Sequence, residues 1–186
     1  MATYFNEYFG VTRDTVDDYG AFNVSIINDL PLFIDPFLLF QSAKPAYKAL
    51  HAEILTYIKF LRDQVIAGRI NKDLIDAWFC FSEVRQNWLG FSRVGNGGSG
   101  LGPDFAKSLS ANLSDLFVNF GQEEITERSH VEKVCLVQGG VGRDSISDFT
   151  TNLIKHFLCE YTEAFAREHI APEKRKMVWV EKASFN

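Results

Sequence analysis

The sequence predicts an α+β fold, mostly helical with a small mixed sheet, in a single domain covering residues 1–186. Three observations lead there. Apolar residues recur at spacings of three and four over two long segments, the signature of amphipathic helices. Residues 22–40 and the stretch from Met177 onward are instead rich in β-branched and aromatic side chains, as strands are. A chain of 186 residues, 46% of them hydrophobic, is long enough for one proper core and short for two.

Taken in order, "FNVSIINDLPLFIDPFLLF" at 22–40 combines a β-branched run, a turn-prone Asn28-Asp29 and two prolines, Pro31 and Pro36. Proline opposes a helix crossing the segment, so a strand, a turn and a second extended stretch are expected. From Pro45 the apolar residues Tyr47, Leu50, Ile54, Ile58, Leu61 and Val65 mark a helix of about six turns closed by Gly68. Asn71 suits the N-cap of a short helix over "KDLIDAWF". The glycine-rich "GNGGSGLGPDF" is a loop, and Pro103 opens the next helix, which Gly121 stops. "EEITERSHVEKVCLV" reads as a helix running into a strand near Cys135. A helix then runs from Asp148 to about His169, on Phe149, Leu153, Phe157, Tyr161 and Phe165. Pro172 follows, and "KMVWVEKASFN" alternates like a final strand. A strand there needs a partner, either within the domain or in a longer protein of which this is the N-terminal part.

Composition removes several function classes. A net charge of −5 argues against a general nucleic-acid coat, because phosphate binding draws its affinity from cations. The contiguous Lys174, Arg175 and Lys176 form the clearest basic run and read as solvated surface. Three cysteines, Cys80, Cys135 and Cys159, are an odd number without paired spacing, as in reduced cytoplasmic proteins. No apolar run has membrane-spanning length and the N-terminus lacks a signal pattern, so a cytoplasmic protein without membrane attachment is expected. The aromatic load of 17 Phe, 6 Tyr and 3 Trp leaves more apolar surface than a small body easily hides, which points to a protein partner or a homo-oligomer.

The chemical motifs are sparse. Gly95-x-Gly97-x-x-Gly100 has the form of a dinucleotide fingerprint but lacks the acidic residue on a second strand, so no cofactor-binding residue is assigned and a nucleotide sensor ranks last. Asp35, in "PLFIDPF", suits a turn before proline or a metal ligand at a strand end. In "GVGRDSISDFTTN", Ser147 or Asp148 suits the cap of the following helix. Asp144 lies outside that helix and is not needed for capping. Asp144 at a strand end, with Glu132 before it and Glu181 and Lys182 on the final strand, supplies the parts of a metal-dependent nuclease site. Asp144, Asp148, Glu132 and Asp35 would be the metal ligands, Mg²⁺ the cofactor, and Asp144, Glu181 and Lys182 the catalytic group acting on nucleic acid. Adjacent strand residues face opposite sides, so Glu181 and Lys182 fit that pattern imperfectly.

The strings "PLFIDPFLL", "NWLGFSRVGNGGSGLGPDFA" and "GVGRDSISDFTTNLIKHFLCEYT" resemble segments of a family of uncharacterised bacterial proteins associated with phage defence or mobile elements. The resemblance implies a bacterial protein that continues past this chain and carries no catalytic assignment. Two functions follow as expectations: a defence-associated, metal-dependent nuclease-like enzyme, or a non-catalytic module that assembles with itself or with a larger complex.

Overall fold

A computed structural model describes residues 3–82, 84, 89, 101–116 and 142–184. The expected strand near Cys135, the loop of glycines 95–100 and Glu132 lie outside them. The described chain is all-α, which corrects the α+β expectation. It has no strand, only isolated bridges joining Tyr4 to Ser25, Leu30 to Leu89 and Phe81 to Leu101.

The correction has local causes. Over 22–34, the Ser25 hydroxyl accepts from the Ile27 and Asn28 amides, both at 3.2 Å, and bends the backbone where a ladder would have to continue. Further on, Pro36 starts a helix instead of preventing one. Asp35 caps it, Oδ1 accepting from the Phe37 amide at 2.9 Å, and Pro36 takes the first-turn position where its missing N–H costs nothing. At the other end, residues 175–180 carry neither helix nor ladder, and Glu181 and Lys182 form a turn instead of a strand.

The chain divides into two compact units. The first comprises residues 1–32, 85–98 and 155–186. Its described helices are α1 (Phe5–Phe9), α2 (Arg13–Tyr19) and α8 (Lys155–His169), followed by a 3-10 turn at Pro172–Lys174. The two short helices were not foreseen from periodicity. Each ends at a glycine in the left-handed region, Gly10 at φ 74° and Gly20 at φ 83°. Their apolar faces close on α8: Val16, Phe165 and Ile170 are buried, with Phe5, Phe9 and Tyr19 packed around them.

The second unit comprises residues 33–84 and 99–154. It holds α3 (Pro36–Gln41), α4 (Pro45–Ile66), α5 (Lys72–Trp78), α6 (Pro103–Leu116) and α7 (Arg143–Leu153). The helix predicted from Pro45 is α4, and the predicted Asn71 cap is present, its Oδ1 accepting from the Leu74 amide at 2.9 Å. α4 buries Leu50, Ile54, Leu55, Ile58 and Leu61 on one stripe and packs on α3, α6 and α7. Phe79, Phe81, Phe105, Leu109, Leu113 and Phe149 fill the rest of this core, with the Phe81 and Phe149 rings 4.6 Å apart at 68°.

The single helix expected from Asp148 to His169 is two. Helix α7 begins five residues earlier than expected, with Gly142 as N-cap, and ends at Leu153; α8 starts at Lys155. The β-branched Thr150, Thr151 and Ile154, with Asn152 among them, give this junction a weak helical propensity. Ile154, at φ −101° and ψ 16°, leaves helical geometry.

Candidate functional site

The predicted acidic site divides between the two units. Asp35, Asp144 and Asp148 belong to the second, Glu181 and Lys182 to the first. Within the second unit, the segment before α3 lies against α7. The Ser147 hydroxyl accepts from the Ile34 amide at 2.9 Å, and the Arg143 guanidinium sits 5.7 Å from the centre of the Phe33 ring. Chain segments carrying Asp35 and Asp144 are therefore brought side by side. Their carboxylates are nonetheless explained by their own helices: Asp35 caps α3, and Asp144 is exposed in the first turn of α7, where negative charge is favoured. The expectation that Asp144 stands outside a helix is corrected, because Gly142 rather than Ser147 or Asp148 is the cap. Ser147 is buried and serves the tertiary contact to Ile34. Asp148 is half-buried within α7.

Mg²⁺ coordination requires several oxygen ligands converging on one point. Among the described residues, no group of three or more His, Cys, Asp or Glu could hold a metal ion.

More distinctive is the surface at the end of the first unit. Pro172–Lys174 makes a 3-10 turn after α8, and the start of the segment that follows is anchored to the helices. The Lys174 ammonium donates to the Tyr8 carbonyl at 2.8 Å, at the C-terminal end of α1 where cations are favoured. Arg175 Nη1 donates to the Arg167 carbonyl in the last turn of α8 at 3.3 Å. These three cations, Lys174, Arg175 and Lys176, line a cavity of about 480 Å³ with Tyr8 and Glu173. Beyond it Met177, Val178 and Trp179 are 83%, 66% and 90% exposed. Among the described residues no backbone hydrogen bond pairs residues 176–180 with other backbone. Lys182 then takes φ 47°, a left-handed turn conformation uncommon for a side-chain-bearing residue.

The remaining titratable groups of the first unit offer little for catalysis. Burial pushes the Cys159 thiol above its ordinary range, which disfavours the reactive thiolate. Burial pushes the Lys155 amine down, but that side chain is engaged with its surroundings. In the second unit, burial lowers His51, whose ring lies 5.4 Å from that of Phe40.

Sequence reasoning passed over Met177, Val178 and Trp179 as surface residues, because alternating apolar side chains ordinarily signal a half-buried strand. The available hint was the run of three cations directly before them. No helix among the described residues is long and apolar enough to cross a membrane.

The chain has no match among curated proteins and none among solved structures. A family model does match residues 10–186, nearly the whole chain, and the protein belongs to that family, described as "Domain of unknown function (DUF8370)".

Proposed function

We propose that the chain is a non-catalytic interaction module that docks a partner through residues 175–180. The observation that carries this reading is the exposure of Met177, Val178 and Trp179 in succession. A tryptophan alone presents on the order of 200 Å². Three consecutive exposed apolar residues therefore reach the few-hundred-Å² size at which patches on soluble proteins mark interaction sites. Backbone alongside them that is bonded to no other described backbone adds hydrogen-bonding groups for a partner. The helices provide the rigid base, since Lys174 and Arg175 tie the start of the segment to α1 and α8.

Hydroxyl-radical footprinting in the source cells and on dilute purified protein tests this. Met177 and Trp179 are expected to oxidise rapidly in the purified chain and to be protected several-fold in the cell. Equal modification in both settings would sink the reading.

A further inference from the structure

We propose that the cavity beside the 3-10 turn after α8 binds a phosphate monoester. The proposal goes beyond the docking reading and uses none of residues 177–179.

The lining sets the charge. Tyr8, Glu173, Lys174, Arg175 and Lys176 line about 480 Å³, within the range of about 300–1,000 Å³ that small-ligand clefts occupy. Three cations against one carboxylate leave a surplus of two positive charges, in a chain whose net charge is −5. Elsewhere Arg13, Arg62 and Arg167 each meet a carboxylate. Among the described residues, Glu173, Lys174, Arg175 and Lys176 form no ion pair, so the surplus is not balanced locally.

Plain solvated surface does not account for the arrangement. Solvated cations keep their rotamer freedom, which is costly to give up. Here the Lys174 ammonium is held by the Tyr8 carbonyl at 2.8 Å, and Arg175 Nη1 by the Arg167 carbonyl at 3.3 Å. A carbonyl fixes a cation and leaves its charge intact. An ammonium has three N–H groups and a guanidinium five, so each keeps most of its donors. Lys176 spends none of its three on a described residue. Fixing two of the three cations in advance lowers the ordering cost of binding.

The charge selects the ligand. A phosphate monoester carries about −1.5 to −2 near neutral pH and three strongly accepting oxygens, which suits two surplus charges and several donors. A carboxylate brings a single charge. So does each phosphodiester of a nucleic-acid backbone, and the net charge of −5 repels that polyanion as a whole.

Phenyl phosphate titrated calorimetrically into the whole chain at low salt and about pH 7.5 tests this. Binding is expected with a Kd below about 1 mM, and about tenfold weaker at about pH 5, where the ester has taken up its second proton. No histidine lines the cavity, and protonation of Glu173 would act in the opposite direction. Lys176→Gln removes no hydrogen bond or ion pair formed among the described residues and should weaken binding by about fivefold or more. Lys107→Gln removes the same charge from an exposed position on α6 and should leave binding unchanged. Equal losses in the two variants would reduce the effect to net charge and overturn the site. Absence of binding at about 10 mM, or equal affinity for the monoanion dimethyl phosphate, would overturn it too. Phosphatidylcholine vesicles carrying phosphatidic acid, whose headgroup is a phosphate monoester, distinguish the source. Binding to them that Lys176→Gln abolishes supports the site with a lipid as its ligand; binding of phenyl phosphate without the vesicles supports it with a soluble one. Footprinting of Met177 and Trp179 reads the docking segment separately, so either reading can fail alone.

Discussion

Tyr19 and Tyr161 exchange hydrogen bonds, each hydroxyl donating to the other's carbonyl at 2.9 Å, with the rings 4.7 Å apart. The two bonds are equal in length and unequal in consequence. Tyr161 lies mid-helix, so its carbonyl also has the α-helical N–H one turn on. Tyr19 is the last residue of α2, and its carbonyl belongs to the orphan set at a helix C-terminus. Gly20 and Ala21 direct their amides to Asp17 and Val16, and no described backbone N–H reaches the Tyr19 carbonyl. Replacing Tyr19 by Phe removes one bond and leaves its acceptor satisfied, a loss of about 0.5–1 kcal/mol. Replacing Tyr161 by Phe removes one bond and strands a half-buried carbonyl, a loss of about 1.5–2 kcal/mol. Ring packing is kept in both. In urea unfolding followed by circular dichroism, the midpoint of Tyr161→Phe should fall about twice as far as that of Tyr19→Phe at unchanged slope. Equal shifts, or a larger one for Tyr19→Phe, would refute the assignment of the hydroxyl as the cap of α2.

Two further tests address the second unit. Burial lowers the folded-state pKa of His51 below its unfolded value, so protonation favours unfolding. Stability is therefore fully present above the unfolded pKa and falls as pH drops from about 6.5, by at most about 1.4 kcal/mol per pH unit. His51→Gln should flatten that limb of the pH–stability curve, and an unchanged slope would place the acid sensitivity elsewhere. Asp35→Ala should cost about 1 kcal/mol through loss of the α3 cap, whereas Asp35→Ser, which keeps a capping oxygen, should cost much less. If both variants lose equally, the carboxylate has a role beyond the Phe37 amide.

The helices that were legible in advance are those whose signals are local. In α4 every third or fourth residue is apolar, and α5 begins at a capping asparagine. A helix closes its hydrogen bonds within its own segment, so periodicity and caps suffice to reveal it. Helices α1 and α2 were missed because five and seven residues hold too few repeats; aromatic packing of Phe5 and Tyr19 on Phe165 sustains them. Asp144 was misplaced by five residues' error in a helix start: it lies in the first turn of α7 and not ahead of the helix.

By itself the sequence determined a helix-dominated chain with one long amphipathic helix, an odd set of cysteines and no membrane-length apolar run among its segments. Only the tertiary structure decided that 22–34 forms no ladder, that Asp35 and Asp144 sit at the starts of helices, and that Met177, Val178 and Trp179 face solvent. The physical reason is the same in each case. A strand is completed by hydrogen bonds to a segment that its own sequence does not specify, and a side chain's burial depends on what another part of the chain, or another molecule, lays over it.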